Sequence, residues 1–131
     1  MLDAVEEHDR HVVAPARQPR VAIYVTDVHD DARLVGKTLD DALGLRARLR
    51  PGRRLVVVGA GFVGTEVAAV AHTMGVDVTV VEPVPVPLAH AVGRKVGLFL
   101  TQLHVDRGVD LRTGTAVEEI LTDAGEVTGV K

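Results

Sequence analysis

The stretch Arg54-Leu55-Val56-Val57-Val58-Gly59-Ala60-Gly61-Phe62-Val63-Gly64-Thr65-Glu66 decides how the rest of the chain is read. Four apolar residues in a row, three of them β-branched, predict a strand buried on both faces, and the glycines that follow end it abruptly. Gly59, Gly61 and Gly64 stand in the arrangement G-x-G-x-x-G. In a dinucleotide site the first such glycine permits the tight turn, the second lets the backbone approach a pyrophosphate, and the third lets helix and strand pack closely. A helix that starts at this turn offers N–H groups and the positive end of its dipole to the phosphates.

Glycines alone are a weak signal, and their surroundings make this one specific. Val67, Ala68, Ala71 and Met74 recur at helical spacing after the turn, and Gly75 supplies a stop. A second strand, Val76-Asp77-Val78-Thr79-Val80-Val81, follows directly and ends in an acid, Glu82. Glu82 stands 23 positions after Gly59, close to the separation at which a carboxylate accepts hydrogen bonds from the adenosine ribose hydroxyls. The unit reads as a dinucleotide site in preference to a scaffold with an accidental glycine pattern.

Composition narrows the function classes. At 131 residues the chain suits one domain but is short for an enzyme that holds two cofactors. A net charge of −3 leaves no basic footprint for nucleic acid, and 2% aromatic residues leave almost nothing to stack on bases. With no cysteine, disulfides, thiolate nucleophiles and thiolate metal ligands are excluded within this sequence. The first residues form neither a basic nor an apolar leader, and no later run approaches membrane-spanning length. A cytoplasmic location is the expectation, with no membrane partner.

Along the chain, residues 1–20 mix acids, His8, His11, Pro15 and Pro19 without a period and predict a loosely packed arm; His8 and His11 lack further ligands, so no metal site is expected. Val21–Val25 predicts a short strand. Thr38 reads as an N-cap, with Asp40 and Asp41 as first-turn acids and Leu39, Ala42, Leu43, Leu45 and Leu49 as a broad apolar side. Pro83-Val84-Pro85-Val86-Pro87 predicts an extended, stiff connection along the adenosine end of the site. A helix is expected over residues 91–106, with Val92, Val96, Phe99, Leu100 and Leu103 as its stripe and Phe99 and Leu103 in the core. Strands are expected at residues 109–111, 115–121 and 127–130, the last two joined by a turn over residues 122–126. His72 reads as a helix residue and not a catalyst; His90 reads as a solvated loop residue. The arginines Arg46, Arg48, Arg50, Arg53 and Arg54 gather around a helix end, where positive charge is favoured. A docking patch for an electron carrier is the lesser reading.

Taken together, residues 55–66, the strand ending at Glu82, Thr38-Leu39-Asp40-Asp41-Ala42 and Gly108-Val109-Asp110-Leu111 resemble the NAD-binding domain of FAD-dependent pyridine nucleotide-disulfide oxidoreductases. Within that family the similarity points to ferredoxin reductases of bacterial oxygenase and cytochrome P450 systems. The resemblance covers residues 35–131 and implies an α/β fold: a doubly wound, Rossmann-like parallel sheet with an antiparallel β addition near the C-terminus. It implies a division into an N-terminal arm, residues 1–34, and an NAD-binding domain, residues 35–131, whose last strand is missing. It also implies hydride delivery from NADH to FAD, with the flavin held only by domains absent from this sequence, and a ferredoxin-type carrier as partner.

Carried over by position, the resemblance implies that Gly59, Ala60, Gly61, Phe62, Val63 and Gly64 surround the pyrophosphate and that Glu82 holds the ribose. Glu66 matches a glutamate near the nicotinamide; its other reading is a first-turn acid that favours the helix dipole. An acid at Glu82 repels a 2′-phosphate, so NADH is expected over NADPH. Val86 stands where many relatives carry a basic residue beside the adenosine. The rival expectation is a catalytically inactive remnant or a stand-alone nucleotide-binding or self-associating domain, with a homo-oligomer as the partner such self-association would give.

Overall fold

The computed structural model describes residues 12–13, 21–25 and 39–131, apart from the side chains of the first two segments and of Asp41. The expected N-cap Thr38, the His8 and His11 pair and most of the expected arm lie outside these residues. Two pieces of residues 1–34 are strands, β1 (Val12–Val13) and β2 (Val21–Val25). The chain continues through α1 (Leu39–Arg48), β3 (Arg54–Val58), α2 (Phe62–Thr73) and β4 (Asp77–Glu82). It then forms α3 (Ala89–Val92), α4 (Arg94–Asp106), β5 (Asp110–Thr113), β6 (Ile120–Asp123) and β7 (Glu126–Val130).

Four strands make a parallel sheet in the order β2-β3-β4-β5. Leu55 and Val57 of β3 lie opposite Val78 and Val80 of β4, and this set faces the helices. Leu45 of α1, Leu49 just after it, and Ala68 and Ala71 of α2 complete that layer. Strands that follow one another in sequence and in space are joined by crossovers of one hand, so the helices collect on one face. The opposite face is covered by strands: Val56 and Val81 pack on Val130 of β7, with Val58, Val117 and Val127 beside them. β7 lies between β1 and β6 in a three-stranded antiparallel sheet. The α/β reading with an antiparallel addition near the C-terminus therefore holds. Val57 and Val80 are fully buried, and each such valine contributes about 1.5–3 kcal/mol over an exposed one.

The elements end where backbone chemistry ends them. Gly75 adopts φ +79° after α2, its amide donates to His72 at 3.0 Å, and Val76 donates to Ala71 at 3.2 Å, which satisfies the last carbonyls of the helix. Gly52 also has positive φ, and its amide donates to Gly75 O at 3.0 Å, tying the entry of β3 to the entry of β4.

Several boundaries differ from expectation. The helix expected over residues 91–106 is two helices, because Gly93 at φ +84° breaks it. Phe99 is 64% exposed and so does not belong to the core; Leu39 at 74% and Leu43 likewise leave only Leu45 and, just past the end of α1, Leu49 of the expected apolar side buried. Residues 115–119 are not strand, and β6 and β7 meet at a two-residue turn, Ala124-Gly125. Both turn residues have positive φ, which matches the twist of a tight hairpin.

The proline segment bends instead of running extended, and Val86, Pro87 and Leu88 are buried. Val86 is thus a packing residue, and Val84 is the exposed valine of this loop. Gly97 explains the seating: a Cβ there would stand 2.6 Å from Pro87 O and 3.0 Å from Val86 Cγ1. Gly97→Ala is expected to lower the unfolding free energy by about 1–3 kcal/mol in urea denaturation. An unchanged midpoint would show that the loop does not seat on α4.

Candidate functional site

The site is built where β3 and β4 end together. Gly59 continues the ladder, its amide donating to Val81 O at 2.8 Å, and its φ of +101° turns the chain sharply after Val58. Gly61 is the N-cap of α2 at φ −73° and ψ −172°, with no side chain to cap the helix. The first-turn N–H groups of a helix have no partners within it, so this uncapped end faces outward as a donor cluster. A Cβ built on Gly61 meets nothing within 4 Å, so open space lies directly before the turn. Phe62, 59% exposed, and Val63 flank it, while Gly64 is buried against the sheet.

Glu82 is the buried acid of this site, at 9% exposure. Its Oε2 accepts from the Ala60 amide at 2.6 Å and its Oε1 from the Val84 amide at 3.0 Å. A carboxylate oxygen has two lone pairs, so each retains acceptor capacity. The acid thus spans the glycine turn and the loop after β4, and still has lone pairs for ribose hydroxyls.

The structure brings Gly59, Ala60, Gly61 and Glu82 together, and it sets other candidates apart. Glu66 is the fifth residue of α2 and exposed; no acid stands in the first turn, so the dipole reading of Glu66 loses its basis. His72 packs near the backbone of Gly108, whose added Cβ would meet its ring at 3.2 Å, and His90 is exposed on α3. Among the described residues no three metal-ligating side chains come together, and no helix is long and apolar enough to cross a membrane.

Two contributors escaped the sequence reading. Thr65 donates through Oγ1 to Gly61 O at 2.8 Å, and the Val84 amide meets Glu82. A threonine four residues after an N-cap is a local signal for the first; the second is a backbone contact that no residue type announces.

The sequence profile of the pyridine nucleotide-disulphide oxidoreductase family matches residues 4–131. The chain belongs to this family. The match begins well before residue 35, so the segment with β1 and β2 is part of the family likeness. The ferredoxin–NAD(+) reductase component of a p-cumate 2,3-dioxygenase system from Pseudomonas putida is 38% identical over 117 residues, covering 88% of this chain and 28% of that protein. A probable ferredoxin reductase from Castellaniella defragrans is 36% identical over 128 residues, covering 95% of this chain and 30% of the relative. Among solved structures, the reductase chain of a covalent putidaredoxin reductase–putidaredoxin complex superposes with a TM-score of 0.71 at 28% identity, covering 92% of this chain and 28% of that one. A ferredoxin reductase from Rhodopseudomonas palustris gives 0.68 at 30% identity, covering 81% and 29%. The chain spans less than a third of the length of the relatives it matches.

Because Glu82 pairs two backbone amides, its removal touches the fold as well as any ligand. Glu82→Ala leaves the Ala60 and Val84 amides without this partner and is expected to cost about 1–3 kcal/mol in denaturant unfolding of the ligand-free chain. Stability equal to wild type would show that the carboxylate does not hold the turn.

Proposed function

We propose that the chain is an NAD(H)-binding domain working within an NADH-dependent FAD oxidoreductase of the ferredoxin-reductase kind, in the cytoplasm. The observation that carries the reading is the Glu82 carboxylate at the tip of β4, bonded to Ala60 beside an uncapped helix N-terminus with open space before Gly61. The names of the relatives, a ferredoxin–NAD(+) reductase component among them, support the same class. In this reading Gly59, Ala60 and Gly61 form the floor under the pyrophosphate, and the amides of Phe62, Val63 and Gly64 face it. Glu82 accepts from the adenosine ribose, and its negative charge disfavours a 2′-phosphate, so NADH binds in preference to NADPH. Glu66, exposed one turn into α2, lies on the nicotinamide side. Bound NADH supplies a hydride to a flavin held by residues outside this chain, and a ferredoxin-type carrier takes the electrons onward.

A second reading, a stand-alone nucleotide-binding domain that self-associates without catalysis, draws on the exposed apolar side chains Leu39, Leu43, Phe62, Val63 and Phe99. It calls for a mass that rises with concentration in sedimentation and for no NADH oxidation when a flavin domain is supplied.

Calorimetric titration is expected to show NADH binding well above NADPH, with no uptake of FAD. Absence of NADH binding would sink the reading. Gly61→Val sharpens the test, since Gly61 has an ordinary φ and no neighbour in the way, so stability stays near wild type. Its NADH affinity is expected to fall at least about tenfold, a loss of about 1.4 kcal/mol. A variant that binds as wild type would remove the glycine turn from the site.

A further inference from the structure

His104 is a half-buried group to which the dinucleotide reading gives no task, and it joins two helices. It lies in the last turn of α4. Its Nδ1 stands 2.8 Å from the carbonyl of Leu100, four residues back in its own helix, and its Nε2 stands 3.2 Å from the carbonyl of Thr65 in α2. Thr65 in turn grips Gly61. The Thr65 amide donates to Gly61 O at 3.0 Å, and Oγ1 donates to the same oxygen at 2.8 Å, with Phe62 O at 3.1 Å as its second acceptor. A continuous path therefore runs from the imidazole of α4, through one threonine, to the N-cap of α2.

We propose that His104 is a positioning residue for the glycine turn: Nε2–H donated to Thr65 O holds the first turn of α2, and through Thr65 it holds Gly61 ready for a pyrophosphate. The inference rests on the nucleotide site proposed above. Carbonyl oxygens only accept, so each contact requires an N–H on the ring; the imidazolium makes both at once and the neutral ring makes one at a time. Thr65 O has a second lone pair for this bond beside the one used along its own helix. Glu82 and Val81 hold the turn at Ala60 and Gly59, but Gly61 lacks a side chain and α2 has no side-chain cap, so the helix end of the turn depends on its own first-turn bonds. Ordering it before ligand arrives removes part of the entropy cost of binding.

The two ring nitrogens provide the test. Glutamine places its amide N–H near the reach of Nε2, and asparagine places its own near that of Nδ1, so His104→Gln keeps the bond to Thr65 while His104→Asn keeps only the bond to Leu100. Backbone amide exchange at Thr65 in the ligand-free chain, and NADH affinity, are measured for wild type, His104→Gln, His104→Asn and His104→Leu. His104→Gln is expected to match wild type in both. His104→Asn and His104→Leu are expected to exchange faster and to bind NADH about threefold to tenfold more weakly, as the loss of one hydrogen bond implies. Equal exchange in all four proteins, or a glutamine variant as impaired as leucine, overturns the proposal. Faster exchange with unchanged NADH affinity overturns the link to binding. A wild type that binds no NADH refutes the nucleotide site itself, and with it the link to binding, while the exchange pattern still decides whether His104 holds the turn. Where His104→Leu does not fold, the two amide variants carry the comparison.

Discussion

One buried carboxylate connects the three segments that make the site. Glu82 sits at the end of β4, and its two oxygens take amides from the turn after β3 and from the loop after β4 itself. A buried charge without such partners is strongly unfavourable, so the acid and the two amides specify one another. Their meeting depends on strand register. Val58 lies opposite Val81 and the Gly59 amide bonds Val81 O, which leaves Glu82 opposite Gly59 with its carboxylate in reach of the Ala60 amide. A slip of one residue would turn Glu82 to the other face of the sheet.

The register is held by packing from both sides. On the helix face, Leu55, Val57, Val78 and Val80 meet residues of α1 and α2; on the other, Val56 and Val81 meet β7. Small residues set how near the helices come. Gly64, Ala68 and Ala71 line the buried side of α2, so its N-terminus stands close over the strand ends. Gly97 does the same for α4, where the loop backbone at Pro87 lies against the helix. The rim of the site is thus a consequence of close approach at a few glycines and alanines.

Membership of the pyridine nucleotide-disulphide oxidoreductase family agrees with this construction, and the chain corresponds to less than a third of its reductase relatives. The helices carry more apolar residues than this sheet can cover. Leu45 of α1 and Leu49 just beyond it fill this place in the core, which leaves Leu39 and Leu43 of the helix outside. On α4, Gly97 is the buried residue while Val96 and Phe99 face outward. Apolar periodicity therefore recorded that these helices are amphipathic without recording which apolar residues meet the sheet.

Much of the fold is legible in the amino-acid sequence. Val-Val-Val ending at Gly59 could only be a buried strand that turns sharply, and Gly75 could only stop a helix cleanly, because both effects are local to the backbone. The parallel sheet, the helix after Gly61 and the acid at Glu82 followed from spacing within one unit. The break at Gly93, the bend of the proline segment and the exposure of Phe99 did not, since each depends on what lies opposite across the fold. Least legible was the network around the turn: Glu82 to Ala60 and Val84, and His104 to Thr65 across 39 positions of sequence. Residue types and periods determined which strands, turns and helices form, because those are short-range preferences; which carboxylate, imidazole and amide meet was decided only by tertiary structure, because hydrogen bonds across the chain need register and packing to bring the atoms within 3 Å or so.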